Sequence, residues 1–192
     1  MRRDKYLRDG WLMSSSAIRM IVSTIAALGI ACGAASPARA GEDTTVKAFA
    51  AWQGSGQLIQ TGPKETTFVG SLTGTVYAET EKGPLESGSL ACPAMVRISL
   101  EDGSQTGSGR CTITAKDGSR IFADVSCTGY RLVGCDGQFA LTGGTQRFEG
   151  ITGGGPVTMR SEFNAVVGVS DIVAQQEARG VMFWPALHYT IP

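Results

Sequence analysis

The chain contains a single histidine, His188, and this count limits the catalytic sites that it can build. A Ser-His-Asp or Cys-His mechanism needs an imidazole as general base, so either mechanism would have to use His188. The sequence has no Gly-x-Ser-x-Gly motif, and a site with two imidazole groups is excluded. We therefore interpret His188 as a surface or hydrogen-bonded strand residue, and the sequence identifies no catalytic or ligand-binding residue.

Cysteine is the second residue type that could do chemistry. Zinc sites usually include histidine ligands or have more closely spaced cysteines. Redox sites usually have a Cys-x-x-Cys pair, which this sequence lacks. An even number of cysteines in an exported chain points instead to disulfides. We predict no metal site and no cofactor, and we assign a structural role to the four cysteines that follow residue 40: Cys92, Cys111, Cys127 and Cys135.

Paired carboxylates are the groups that glycosidases use. The acidic pairs Glu79/Glu81 and Glu101-Asp102 stand at turn-like ends of predicted strands, where solvated side chains are expected. Arg147 and Glu149 lie two residues apart on one face of a predicted strand. We expect them to pair with each other, and the alternative is that they face a ligand.

The first forty residues have the order of a secretory signal peptide. The apolar run Ile21 to Ala35 ends before Ala38-Arg39-Ala40, a small-x-small cleavage motif. A membrane anchor is the alternative, but the run is shorter than the roughly 20 residues that span a bilayer. We predict cleavage between Ala40 and Gly41 and a periplasmic or secreted protein with no membrane span after processing. The start codon, Met1 or Met13, stays open.

Charge excludes one class of partner. The chain has 17 basic and 17 acidic residues, and residues 1–40 hold six of the basic and two of the acidic ones. The mature chain therefore has 11 basic and 15 acidic residues, a net charge of −4. Nucleic-acid binding needs a basic surface, so the sequence predicts no nucleic-acid partner.

The alternation of apolar and polar residues predicts the strands that carry these candidate residues. Period two recurs in six segments between residues 68 and 167, which is typical of half-buried antiparallel strands. Further strands are predicted at Val46–Gln53, Gln57–Thr61 and Val181–Ile191, giving eight or nine. Ser170 to Ala178 is predicted as a short helix. The Asp-Gly pairs at residues 102 and 117 predict hairpin turns, and the pair Asp136-Gly137 predicts a bulge.

The strand pattern indicates one all-β domain at residues 41–192, and a sandwich or a barrel would satisfy it. Glycines within strands favour a small antiparallel barrel of about eight strands. We expect the aromatic side chains of Trp52, Phe183 and Trp184 to pack in the core, with a position at the barrel mouth as the alternative.

The same register predicts the disulfide pairing. A hairpin turning at Leu100–Gly103 places Cys92 directly opposite Cys111, and both side chains fall on the apolar face.

A second hairpin, turning around Arg131, places Cys127 directly opposite Cys135. We therefore predict these two bonds. The alternative, Cys111 to Cys127, requires a longer turn at Asp117-Gly118.

One glycine-rich segment carries a family resemblance. Gly143-Gly144-Thr145-Gln146-Arg147-Phe148-Glu149-Gly150-Ile151-Thr152-Gly153 resembles the G-G-T-G-[RK]-[FY]-x-G-[IA]-x-G segment of allene oxide cyclase-like barrels and the corresponding stretch of dirigent proteins. Gly109-Arg110-Cys111 with Lys116 to Phe122 is similar to the G-x-C…D-x-D-G-D-x-[IV]-F stretch of bacterial members. The sequence departs from the pattern at Gln146, usually glycine, and at Ser119, often aspartate.

The resemblance implies an eight-stranded, calycin-like antiparallel barrel and leaves two classes of function. The first is an exported binding or structural barrel that holds a small apolar ligand or none. The second is a cyclase-like or dirigent-like isomerising enzyme. A deep cavity with a buried carboxylate or arginine would favour the second class.

Overall fold

The computed structural model describes residues 41–80 and 83–192. Each strand pairs antiparallel with its neighbours in sequence, and the last strand pairs with the first, so the sheet closes into a barrel. The predicted fold class is therefore confirmed. The strands are β1 (Glu42–Gly62), β2 (Glu65–Thr80), β3 (Gly83–Ser99), β4 (Ser104–Ala115), β5 (Arg120–Tyr130), β6 (Gly134–Gly144), β7 (Thr152–Gly168) and β8 (Val173–Ile191).

The helix predicted at Ser170 to Ala178 is wrong. The backbone N–H groups of Val169 and Ser170 both donate to the carbonyl of Val173, which closes a tight turn, and β8 begins there. From Val173 onward the strand pairs with β1 on one side and β7 on the other. Two ladders satisfy more backbone groups than one isolated helical turn, and they override the helix propensity of Ala, Gln and Glu.

The only helical segment among the described residues is a 3₁₀ turn at Gln146–Phe148, between β6 and β7. No described helix is long and apolar enough to cross a lipid bilayer.

Inward-facing side chains of all eight strands fill the middle of the barrel. Trp184 and Phe139 are each 1% exposed and meet edge to face, with ring centroids 5.2 Å apart. Trp52 also belongs to this core. Phe183 does not, because strand alternation turns it to the outer wall, where it is 44% exposed.

The Asp-Gly pairs behave in two ways. Gly103 and Gly118 sit in hairpin turns with φ of +73° and +84°, as the sequence predicts. Asp136-Gly137 does not form a bulge, because it pairs in regular register with β5 and β7. The β5–β6 ladder is irregular instead between Phe122 and Ala123.

The two ends of the barrel are built from different connections. The rim end carries the turns at residues 63–64, 100–103, 131–133 and 169–172. The terminal end carries the turn at 116–119, the β6–β7 connection, the start of β1 and the end of β8. Both names are used below in this sense.

Candidate functional site

A cavity opens at the rim end and reaches down to the packed middle of the barrel. Its volume is about 110 Å³. Most of its surface is apolar, because small or aliphatic residues from all eight strands line it, among them Leu72, Ala94, Val96, Val125, Met159, Ala178 and Met182. Small-molecule sites also combine an apolar concave wall with few polar groups.

The polar groups of this rim cavity come from four strands and one loop. Gln176 Nε2 donates to Asn164 Oδ1 at 3.1 Å, and Gln105 Nε2 donates to the carbonyl of Gly134 at 3.3 Å. Arg131 lines the mouth, and its guanidinium forms no ion pair with a described residue. No Asp or Glu is among the lining residues that the structure describes.

Two further polar atoms belong to side chains that line this cavity. The Trp52 indole nitrogen and Gln176 Oε1 are buried and have no hydrogen-bond partner among the described residues. The polar groups around the cavity are therefore not all used by contacts within the protein.

Both predicted disulfides are present, Cys92–Cys111 and Cys127–Cys135. The first pair stands directly opposite in the β3–β4 ladder, with Cα atoms 4.1 Å apart. This register is the one that the sequence predicts.

The second pair forms, but in a different register from the one predicted. Cys127 lies opposite Gly137, and Cys135 lies opposite Gly129, so the bond runs diagonally, with Cα atoms 5.6 Å apart. A Cβ at Gly137 would come within 2.7 Å of Cys127 Cβ, and one at Gly129 within 2.9 Å of Cys135 Cβ. The two glycines therefore leave the space in which this diagonal bond lies. The bond is part of the wall of the rim cavity.

A second cavity of about 110 Å³ lies at the terminal end. Its wall is apolar too, with Val76, Ala78, Ile113 and Leu187 among its lining residues. Three residues of the β6–β7 connection, Arg147, Phe148 and Ile151, complete the wall.

Arg147 closes over this terminal cavity in a way the sequence does not predict. Its Nε lies 3.0 Å from Asp117 Oδ2 and its Nη2 lies 3.6 Å from Glu86 Oε2. Its guanidinium carbon also stands 4.6 Å from the centroid of the Phe148 ring. The expected pairing with Glu149 is wrong, because residues 146–148 form a 3₁₀ turn and not a strand.

The two positions that depart from the family pattern touch one another. Ser119 is 1% exposed, and its Oγ donates to Gln146 Oε1 at 3.3 Å. Gln146 has φ of +56°, in the left-handed region that glycine adopts most easily. The pattern's glycine at this position was therefore a readable sign of a positive φ.

The lone histidine is exposed on the outer wall, where its Nδ1 lies 2.5 Å from Thr45 Oγ1. It lines neither cavity. Of the acidic candidates, Glu79, Glu101 and Asp102 are exposed, as expected, and Glu81 lies outside the described residues. None of these side chains lines a cavity.

Three aspartates have shifted titration, and all three are on the surface. The Ser104 backbone N–H, followed by the Ser99 and Ser104 hydroxyls, lowers the pKa of Asp102 to about 2. The Ser119 backbone N–H lowers the pKa of Asp117. The Thr158 hydroxyl and the Arg160 guanidinium lower the pKa of Asp136. The hydrogen bonds that lower these pKa values also stabilise turns and strand pairs, since each carboxylate accepts them from a residue that lies next to it in the fold.

No group of three or more His, Cys, Asp or Glu side chains among residues 41–80 and 83–192 is placed to hold a metal ion. Ala40 lies outside the described residues, so cleavage between Ala40 and Gly41 stays a prediction.

Comparison with known proteins adds a similarity to a solved structure. No protein-family profile matches the chain, and no curated protein matches it. A solved structure, of the pterocarpan synthase dirigent protein GePTS1, matches with 15% identity and a TM-score of 0.33, covering 88% of this chain and 99% of that one. A similarity at this level carries no functional conclusion, and membership of the allene oxide cyclase-like or dirigent-like family stays a prediction.

Proposed function

We propose that this protein is an exported barrel that binds a small apolar molecule in its rim cavity. The observation that carries the proposal is the cavity itself, which is open at one end, apolar in its wall and free of carboxylates among its described lining. A dry protein cavity of similar size, about 150 Å³, is known to take up benzene. We expect a ligand body of about that size.

Export is the second part of the proposal. The leader pattern of residues 1–40 supports it, and the two disulfides fit an oxidising compartment. Expression in a Gram-negative host should yield a periplasmic or secreted species whose intact mass begins at Gly41. A mass beginning elsewhere, or recovery with the membrane fraction in the presence of carbonate, would contradict this part.

Binding can be tested with toluene as the probe. Saturating toluene should raise the melting temperature, because a ligand that binds only the folded state stabilises it by mass action. Ala178→Met, which fills the rim cavity, should abolish this rise. Ala78→Met, which fills the terminal cavity, is the matched control and should retain it.

The outcome distinguishes the two cavities. If Ala78→Met abolishes the response while Ala178→Met retains it, the terminal cavity is the site. If the wild-type protein gives no response to toluene or to benzene, the proposed binding function is wrong.

The alternative, a cyclase-like or dirigent-like isomerising enzyme, is favoured by one observation only. Arg131 lines the mouth of the rim cavity without a described ionic partner, so it could orient a polar group of a substrate. An isomerase also needs a group that moves a proton or stabilises developing charge. If Arg131→Met leaves the affinity for a neutral and an anionic aromatic probe equally unchanged, this alternative loses its support.

A further inference from the structure

The rim end has an unusual surface for a protein of this size. Large apolar side chains are exposed at the tips of three of its four turns and on the strand ends next to them, each between 45% and 67% exposed. We call this set the apolar rim: Leu100, Tyr130, Leu132, Val133, Val166, Val167, Val169 and Ile172.

The apolar rim is specific to one end. Among the described residues, the connections of the terminal end contain no exposed large apolar side chain, since Phe148 is partly buried and Ile151 is 1% exposed. The other exposed large apolar residues lie along the outer wall of the barrel, on β1, β2, β3, β5 and β8, and of these only Phe122, 36% exposed, is within three residues of a described connection of the terminal end. Large exposed apolar patches on soluble proteins usually mark a site of interaction.

The backbone of the rim is hydrogen-bonded from turn to turn. Leu100 N donates to Lys64 O at 2.9 Å, Arg131 N to Gly103 O at 2.8 Å, and Gln60 N to Ile172 O at 2.9 Å.

The chain of bonds continues on the remaining side, where Ser161 N donates to Val133 O at 3.3 Å. Within the turns, the N–H groups of Val133, Val169 and Ser170 also have backbone acceptors. Backbone N–H groups without partners are costly in an apolar medium, and the N–H groups of Leu100, Val133 and Val169 at these tips have acceptors inside the protein.

One tip residue has a strained backbone. Leu132 has φ of +68°, a conformation that is rare for a bulky side chain, and it is 65% exposed. A glycine would adopt this φ without strain. The observed residue therefore places an apolar side chain at the mouth of the rim cavity, mostly exposed and at a cost to folding, which fits a side chain that acts in contact with something else.

The charges of the rim turns indicate which kind of apolar surface the rim can contact. The described turns carry two cations, Lys64 and Arg131, and three anions, Glu101, Asp102 and Asp171, and Lys64 is paired with Glu101. Residues 41–192 have a net charge of −4. An anionic lipid surface would repel such a molecule, whereas a neutral one would not.

We infer that the apolar rim docks on the surface of a neutral lipid bilayer, with the mouth of the rim cavity facing the lipid. Aliphatic side chains enter the interface, and Tyr130 and Arg131 lie at its polar boundary, where amphipathic side chains are favoured. An apolar ligand then passes between lipid and cavity without crossing water. The docking itself does not depend on the proposed binding function.

The test is flotation of the exported protein, purified from the periplasm or medium with its intact mass shown to begin at Gly41, with phosphatidylcholine vesicles. The rim variant carries Leu132→Asn, Val133→Ser and Val169→Ser. The wall variant is the matched control and carries Val69→Ser, Met95→Gln and Val181→Ser, three residues of the outer wall with similar exposure, 49%, 49% and 50%.

Wild type and wall variant should float with the vesicles, and the rim variant should bind at least about tenfold more weakly, because three apolar side chains no longer enter the interface. Mixed phosphatidylcholine–phosphatidylglycerol vesicles should bind no more protein than pure phosphatidylcholine. A melting temperature of the rim variant no lower than that of the wall variant will show that folding is not the cause of weaker binding.

Several results would overturn the inference. These are no flotation of the wild type, equal loss in the two variants, or binding that rises with phosphatidylglycerol. Analytical ultracentrifugation without lipid provides a further test. If the wild type is a dimer and the rim variant is a monomer, the apolar rim is a contact between two copies of the chain and the inference is wrong. The Ala178→Met variant separates the two proposals, since it should lose toluene binding and keep flotation.

Discussion

Each end of this barrel encloses a cavity of about 110 Å³, but the connections that surround the two cavities differ. At the rim end, exposed apolar side chains surround an open mouth, and Arg131 lines it. At the terminal end, Arg147 reaches across to Asp117 and Glu86 and covers the apolar wall with an ionic cluster. The inward-facing residues determine that a small barrel has space at its ends, and the connections determine what can reach that space.

The difference also appears in the backbone. Among the described residues, each end has one non-glycine residue with positive φ, Leu132 at the rim and Gln146 at the terminal end. The side chain of Gln146 accepts a hydrogen bond from buried Ser119, whereas that of Leu132 is in solvent. The strain at the terminal end is therefore coupled to a hydrogen bond within the protein, whereas the strained Leu132 stands at the edge of the rim cavity that it lines.

The largest expected effect comes from removing a disulfide. Replacing Cys127 and Cys135 together by alanine should lower the free energy of unfolding by about 2–4 kcal/mol, through lost cross-linking and a small cavity. Urea denaturation will measure it. The Cys92→Ala/Cys111→Ala protein is the comparison and should lose slightly more, because its bond closes a longer loop.

The two disulfides should also differ in which site they affect. Only the Cys127–Cys135 bond lies beside the rim turn at 131–133, so its loss should weaken toluene binding more than loss of the other bond. Equal weakening by both would show that the rim cavity depends on the barrel as a whole.

A smaller gain of stability is expected at the terminal end. Gln146→Gly should raise the free energy of unfolding by about 0.5–1 kcal/mol, since glycine adopts φ of +56° without strain. The hydrogen bond from Ser119 would be lost and reduces the gain. Thermal denaturation will measure the change, and a decrease in melting temperature would show that this contact matters more than the backbone.

The ionic cover of the terminal cavity should contribute little stability. Arg147→Met should change the free energy of unfolding by less than about 1 kcal/mol, because the Arg147 side chain is 46% exposed and its pairs are screened by water. The same variant should make the terminal cavity easier to enter, seen as a toluene response that survives in the Ala178→Met background. A loss of several kcal/mol would contradict the description of the pairs as solvated.

The smallest effect concerns acid. Asp102 has a folded-state pKa of about 2, below its unfolded value near 3.9, so its contribution is present above pH about 4 and is lost as the pH falls toward 2. Asp117 and Asp136 shift in the same direction. The melting temperature of the wild type should therefore fall as the pH is lowered from about 4 to about 2, and that of the Asp102→Asn variant should fall less steeply. An equal slope in the variant would assign the acid sensitivity to the other two carboxylates.

The sequence predicted the elements whose pattern is local. Period-two alternation indicated the strands, and the Asp-Gly turn at residue 102 fixed the register of Cys92 against Cys111. The second disulfide was predicted in the wrong register, because Leu132 takes a positive φ that its residue type does not suggest. The turn is therefore centred one residue later than predicted.

Other errors have a tertiary cause. Residues 170–178 have helix-favouring side chains, and only the pairing of β8 with two neighbours makes them a turn and a strand. The two cavities were not predictable, since each depends on how side chains from many strands meet inside the closed barrel. The apolar tips were visible in the sequence, but their common location at one end required the topology.

Closure of the sheet places Glu42 opposite Ile191 in the β1–β8 ladder. The order of the strands around the barrel is therefore independent of where the chain is cut. A circularly permuted chain, joined between these residues by a short linker and opened at Asp102-Gly103, would keep all eight ladders. Its new termini would follow β3 and precede β4, the two strands that the Cys92–Cys111 bond already ties together.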